Sequence, residues 1–324
     1  MKYLKLVVVI LALTTSCYAQ EQKLLLKKEL FSDYSKLPFY SKITEEINGT
    51  TTWIKNYKFL DSISIFKIQY LSDGLKVNGF IIEPKIAKKV PCIIFNRGGN
   101  RDFGNLTVNT AFRLGKLANE GYVVIASQYR GNGGSEGKEE FGGKDINDVL
   151  ALIDVLKEVD IADTERIGMY GWSRGGMMTY IALTKTDKIK AAVVGGAPSS
   201  QYESIKDRPG MEKEVLADLI PEYEKNKEIE LYKRSPVKWA NQFSKDVPIL
   251  ILHGTSDWRV RPEQSLNMAQ EFTKYRIPYR LIMFEGGDHG ILEFREEVEE
   301  NIINWFDKYL RKGKSLPNME FHGK

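Results

Sequence analysis

The run Ile167-Gly168-Met169-Tyr170-Gly171-Trp172-Ser173-Arg174-Gly175-Gly176, continuing into Met177 to Leu183, decides how the rest of the chain is read. Its apolar start, Ile167 to Tyr170, has the composition of a buried strand, and Met177 to Leu183 that of a helix. Between them stands a serine with glycine two residues away on either side. Strand, sharp turn and helix in that order are the context of a nucleophile elbow, in which a strained serine exposes its hydroxyl. Glycine at the flanking positions lets strand and helix approach closely. The spacing alone recurs by chance; the strand before it and the helix after it give it meaning. Ser173 is the candidate nucleophile.

Outward from this run, apolar stretches alternate with helical patterns. Strands are expected at Cys92 to Phe95, Tyr122 to Ser127, Ala191 to Val194, Ile249 to Leu252 and Leu281 to Phe284. Ile146, Val149, Leu150, Ile153 and Leu156 recur at helical spacing, as do Val298, Ile302, Trp305, Phe306 and Tyr309. The alternation predicts an α/β fold: a mostly parallel twisted sheet with helices on both faces. Upstream, Ile63 to Tyr70 and Leu75 to Ile82 flank the turn Ser72-Asp73-Gly74 and read as an antiparallel hairpin. The catalytic domain is expected over residues 61–324, preceded by a charged, irregular surface arm over residues 20–60. Residues 199–242 lack strand signals and cluster Glu222, Glu224, Lys225 and Lys227. They read as a helical insertion capping the sheet edge where ligands bind, the alternative being a surface excursion away from substrate.

A serine hydroxyl is a poor nucleophile at neutral pH, so a base must accept its proton. The chain offers three histidines. His322 lies in a polar tail, and His253 follows the strand Ile249 to Leu252 as part of a strand-end turn. His289, in Glu285-Gly286-Gly287-Asp288-His289-Gly290, sits on a glycine-rich loop after the last strand and is the expected general base. That base needs a carboxylate to fix its tautomer and stabilise the imidazolium. Asp257, in His253-Gly254-Thr255-Ser256-Asp257-Trp258-Arg259-Val260, is the candidate. Asp288 is read as a turn former, because adjacent side chains on an extended loop point apart. The order Ser173, Asp257, His289 suits a nucleophile-elbow sheet. For the oxyanion, the backbone amide of Arg174 supplies one donor. The loop Asn96-Arg97-Gly98-Gly99-Asn100 is expected to supply the second through Gly98 or Gly99, the alternative being a plain turn. Arg97, Arg101, Arg130, Arg174 and Arg259 all fall on loops at the same edge. Arg97 and Arg101 are the candidates for holding an anionic group of the substrate.

With 324 residues, 42% of them hydrophobic and 28% charged, the chain has none of the bias of disordered or fibrous sequences. A net charge of +4, partly due to Lys2 and Lys5, gives no sign of nucleic-acid binding. Residues 1–19 read as an export signal: Lys2 and Lys5, the apolar run Leu6 to Leu13, then Ser16-Cys17-Tyr18-Ala19. Cleavage after Ala19 gives a periplasmic or secreted protein, and lipid attachment at Cys17 is the second reading, the one in which the protein meets a membrane. The apolar run is too short for a permanent span. Of the two cysteines, Cys92 would then lack an intrachain partner, and it reads as a small buried hydrophobe.

Together these residues resemble the catalytic domain of the prolyl oligopeptidase (S9) family of serine peptidases, within the α/β-hydrolase superfamily. The likeness spans Ile65 to Leu310. It rests on Ser72-Asp73-Gly74 with Gly79 and Pro84, Arg97-Gly98-Gly99, Tyr129-Arg130-Gly131, Gly171 to Gly176, Ser235-Pro236, His253-Gly254, Asp257 with Arg259-Val260, and His289. It implies a serine peptidase acting on a small peptide through an acyl-enzyme, with no metal or organic cofactor. Two departures stand out. Family members that cut oligopeptides carry a large β-propeller, for which this chain has too few residues before Ile65. An aromatic side chain that donates to the oxyanion commonly precedes the two glycines, where this chain has Arg97. Short members include carboxylesterases and carbohydrate esterases, so an ester substrate is the alternative, and a catalytically silent binding module of the same fold is a second. Arg130 and Arg259 fall where similar proteins also carry arginine, which implies pairing with acids of the scaffold.

Overall fold

The computed structural model describes residues 23–323. The expected export signal, with Cys17 and Ala19, lies outside the described residues. Five strands open the chain: β1 (Leu25–Leu30), β2 (Thr44–Ile47), β3 (Thr50–Trp53), β4 (Ile63–Ser72) and β5 (Leu75–Pro84). Then come β6 (Val90–Asn96), α1 (Val108–Asn119), β7 (Val123–Ser127), α2 (Ile146–Val155), β8 (Ala162–Trp172), α3 (Arg174–Leu183) and β9 (Ile189–Gly195). The cap segment carries α4 (Gln201–Asp207) and α5 (Tyr223–Lys233), and the chain closes with β10 (Ile249–Gly254), α6 (Glu263–Tyr275), β11 (Tyr279–Phe284) and α7 (Arg295–Phe306).

Nine strands form one sheet in the order β1-β4-β5-β7-β6-β8-β9-β10-β11. From β7 to β11 every pairing is parallel, whereas β1, β4 and β5 join antiparallel at one edge. All residues of β6 and β7 are buried, as in strands covered on both faces by crossover helices. One face is packed by Val149 and Leu152 of α2, Met178 and Ile181 of α3, and Met268 and Phe272 of α6. The other is packed by Phe112 and Leu117 of α1 and by Ile302, Trp305 and Phe306 of α7. The parallel arrangement brings the carboxyl ends of β6, β8, β10 and β11 to one edge, and loops at that edge carry the candidate residues.

The N-terminal segment departs from the surface arm expected over residues 20–60. Leu25–Leu30 is the outer strand of the sheet, with Leu25 buried and Lys28 paired with Glu83 of β5 at 2.6 Å. An edge strand is held by backbone hydrogen bonds and tolerates charge on its open side, so Lys27, Lys28 and Glu29 conceal it from pattern reading. Ile43 and Leu60 are also buried, and Trp53 stacks edge-on against Tyr34, which in turn contacts Phe112 of α1. Residues 199–242 are helical and tied down. Val237 N donates to Ser199 O at 3.1 Å, Gln201 N to Ser235 Oγ at 2.9 Å, and buried Arg234 donates to the carbonyls of Phe141 and Glu140.

Candidate active site

Ser173 sits between β8 and α3 at φ 57° and ψ −127°, a conformation that costs a non-glycine residue roughly 1–3 kcal/mol and needs support. Its amide donates to Gly195 O and its carbonyl accepts from Gly176 N, both at 2.8 Å. A Cβ on Gly171 would collide with the carbonyl of Gly175, and one on Gly175 with that of Asn96. Both glycines are thus required by the elbow, as the sequence suggests.

Asp257, buried, brings the acid and base loops together. Its Oδ2 accepts from His289 Nδ1 at 2.7 Å, while Oδ1 accepts from the amides of Arg259 and Val260 at 2.9 and 3.0 Å. Burial pushes the carboxyl up, but the hydrogen bonds from His253 and His289 outweigh it and hold it well below the ordinary range. An ionised partner at Nδ1 fixes the proton there and leaves the lone pair of His289 on Nε2. Ser173 and His289 line the same cleft, of about 600 Å³. Asp288 is the turn former expected, its Oδ1 accepting from Gly290 N at 2.7 Å and Ile291 N at 2.9 Å.

Three supports escape sequence reasoning. His253 does more than shape a turn: its Nε2 lies 3.2 Å from Asp257 Oδ2 and 2.9 Å from Val260 O, and its Nδ1 lies 2.5 Å from Ser265 Oγ. Two acceptors at Nε2 put the proton there, so His253 braces the aspartate. Trp172 Nε1 donates to the carbonyl of His289 at 2.8 Å, linking the elbow to the base loop. Buried Arg174 bonds Glu139 through Nη1, Asp145 through Nη2 at 2.5 Å and Gly99 O at 3.0 Å. A buried histidine after an apolar strand, and an arginine inside an apolar helix start, are the signals that such partners exist.

The Gly98–Gly99 loop lies against the nucleophile. A Cβ on Gly98 would stand 2.9 Å from Trp172 O and 3.2 Å from Ser173 Cβ, and Gly99 takes φ +72°. Arg174 begins α3, where the first amides have no partner within the helix. The close approach of the Gly98 backbone to Trp172 and Ser173, and the unpaired first amides of α3, bring these two backbone segments together at the nucleophile.

The arginines need correction. Arg97 is 1% exposed and spends its guanidinium on carbonyls: Gln128 at 2.9 Å, Gly98 at 3.2 Å, and Phe103 and Arg101 at 3.4 Å. Burial, and then the nearby charge of Arg174, push it down to about 10. It staples its own loop and has no fork to offer a substrate. Arg101 pairs with Asp218 at 2.5 Å and donates to Glu214 O at 2.8 Å, tying that loop to the cap. Arg130 pairs with Asp148 at 2.7 Å and Asp73 at 2.8 Å, as a scaffold residue. Arg259, expected to do the same, instead lines the cleft, together with Arg208 of the cap and Arg113 of α1. Gln201, Ser204, Met211 and Val215 line it too, so the insertion is a wall of the cleft. Cys92 is buried, which pushes its thiol up to about 12 and away from reactivity. Among the described residues no cluster of His, Cys, Asp or Glu could hold a metal ion, and no helix is long and apolar enough to cross a membrane.

The model of the prolyl oligopeptidase family matches residues 109–313. The chain is 29% identical to the uncharacterized peptidase YtmA of Bacillus subtilis over 67% of its own length and 82% of that protein's. It is 26% identical to dipeptidyl-peptidase 5 of Porphyromonas gingivalis over 69% of this chain and 34% of that one. Among solved structures, an acylaminoacyl peptidase of Pyrococcus horikoshii superposes with a TM-score of 0.68 at 25% identity, over 83% of this chain and 46% of that one. The chain thus spans most of YtmA but less than half of the other two.

Proposed function

Because the chain belongs to the prolyl oligopeptidase family, we propose that it is a serine peptidase that transfers the acyl part of a short peptide to water through Ser173. The observation that carries this reading is the 2.7 Å Asp257–His289 bond in a cleft shared with an elbow-held Ser173. His289 Nε2 takes the hydroxyl proton as Ser173 Oγ bonds the scissile carbonyl carbon. The carbonyl oxygen becomes an oxyanion facing the Arg174 amide and the Gly98–Gly99 loop. Collapse breaks the bond to the leaving amine, which departs with the proton that His289 held. Water then repeats the sequence on the acyl-enzyme, and Asp257 stabilises the imidazolium both times.

The substrate class is tested by a parallel screen of alanine- and proline-containing peptide amides against acyl and carbohydrate esters, with Ser173→Ala as control. Peptide turnover that vanishes in Ser173→Ala is the expected result. Strong ester turnover beside inert peptides would replace the peptidase by an esterase, because an amine must be protonated to leave and an alkoxide leaves more easily. The export expected from residues 1–19 belongs to the same proposal, and N-terminal sequencing of the mature protein checks it: a start at Gln20 supports it, and an intact Met1 contradicts it.

A further inference from the structure

The cleft around Ser173 is lined by five arginines, Arg97, Arg113, Arg174, Arg208 and Arg259, and among the described residues by no aspartate or glutamate. Arg97 and Arg174 are spent on carbonyls and buried acids. The other three have no carboxylate partner among the described residues. Arg208 ends α4 in the cap and Arg259 follows Asp257 on the loop after β10. They meet in the cleft: Arg208 Nη1 donates to the carbonyl of Arg259 at 3.2 Å. Both guanidinium groups lie over Trp258, at 5.3 and 5.7 Å from the ring centre, and Arg259 lies 5.9 Å from that of Phe103. Two like charges are therefore held close together by an indole and a carbonyl, with no carboxylate among the described residues in ion-pair contact with either. Burial disfavours the charged form of Arg208 and the neighbouring charge of Arg259 disfavours it further, with the buried Asp257 carboxylate offsetting only part of this.

A second cavity tells the two sides of the cleft apart. It has a volume of about 320 Å³, shares Arg113, Trp172 and His289 with the first, and its wall combines apolar residues including Leu114, Leu292 and Ile303 with the charged Lys116, Arg295 and Glu299. The leaving group must lie within reach of His289, which protonates it. The second cavity reaches His289 and excludes Arg208 and Arg259, so it suits the leaving group, and the Arg208–Arg259 side is left for the acyl group.

Resting on the acyl-transfer reading above, we propose that Arg208 and Arg259 form a carboxylate-binding subsite, so that the preferred substrate carries an acidic acyl group. Planar guanidinium forks suit a carboxylate. The same site disfavours a free amino group on the acyl side, because that cation would face unpaired guanidinium groups and find no acid to bind. Dipeptides with an unblocked amino terminus are then poor acyl donors, and acidic or blocked ones good.

Three 4-nitrophenyl esters with six-carbon acyl chains test this on the full chain: the adipate half-ester, the hexanoate and the 6-aminohexanoate. The wild type should prefer adipate to hexanoate by about tenfold in kcat/KM and turn over 6-aminohexanoate slowest. Arg208→Gln and Arg259→Gln should each bring the adipate-to-hexanoate ratio toward one, Arg208→Lys should keep part of it, and Arg208→Glu should reverse the order of the charged esters. Thermal unfolding followed by circular dichroism reports whether each variant has folded, and the subsite is read from the adipate-to-hexanoate ratio within each variant. Equal adipate and hexanoate rates in the wild type, or a preference that survives in the double glutamine variant, would overturn the subsite while leaving acyl transfer intact. Hexanoate turnover that persists in Ser173→Ala, or none in the wild type, would remove the acyl-transfer reading and the subsite with it.

Discussion

Replacing Arg97 by methionine separates a stapling role from a substrate-binding one. The variant keeps a long apolar stem and removes the guanidinium. It loses two good hydrogen bonds, to Gln128 O at 2.9 Å and Gly98 O at 3.2 Å, and two marginal ones at 3.4 Å. Bonds from a charged donor contribute about 1.5–3 kcal/mol each when well formed, and the contact over Tyr129 at 5.1 Å adds about 1 kcal/mol. Against this, methionine escapes the cost of burying a charge. The net loss is about 4 kcal/mol, or roughly a 6 °C fall in Tm for a chain of this size. Because the residue holds the Gly98–Gly99 loop, kcat should fall for the adipate and hexanoate esters alike. Thermal unfolding followed by circular dichroism, with both esters assayed well below Tm, gives the answer. A variant of wild-type stability whose KM rises for adipate alone would refute the staple and return Arg97 to the substrate.

Gly98→Ala places a methyl group 2.9 Å from Trp172 O, so the loop must retreat from the nucleophile. The loss of an oxyanion donor lowers kcat by about 10²-fold, with KM little changed, as initial rates on the hexanoate ester would reveal. Asp257→Asn leaves the site's shape but allows the wrong tautomer of His289, and kcat on the same ester should fall by roughly 10⁴-fold. Asp257 also links stability to pH. Its folded carboxyl titrates below the ordinary value of about 3.9, so its contribution is fully present above that value and is lost as pH falls toward the folded one. The difference in urea midpoint between wild type and Asp257→Asn should therefore narrow from pH 7 to pH 3.

The legible parts of this protein are those where backbone position alone sets the role. Ser173, Asp257 and His289 each follow an apolar parallel strand on a glycine-bearing loop, and in a parallel sheet such loops share one edge. Gly98 is legible for the same reason, since a glycine acts through its backbone. Arginine is different: its Cα marks a loop while its guanidinium reaches far from it. Arg97 turns back to its own loop, Arg101 reaches the cap and Arg259 enters the cleft, though all three stand at the same edge. Arg208 lies in an insertion with no strand to place it. The edge strand Leu25–Leu30 hides because its pairing with β4 needs no apolar alternation on the open side. Glu139 and Asp145, which hold Arg174, stand on a loop whose meeting with the elbow only the fold supplies.

The central claim is that the Ser173 hydroxyl is the activated nucleophile of this cleft. Its most direct test is to treat the protein with a fluorophosphonate, digest it, and locate the adduct by mass spectrometry. A single phosphonylated peptide carrying the adduct on Ser173, with labelling abolished in Ser173→Ala and strongly slowed in His289→Ala, is the predicted result. An adduct on another residue, or labelling of Ser173→Ala at the wild-type rate, would contradict it.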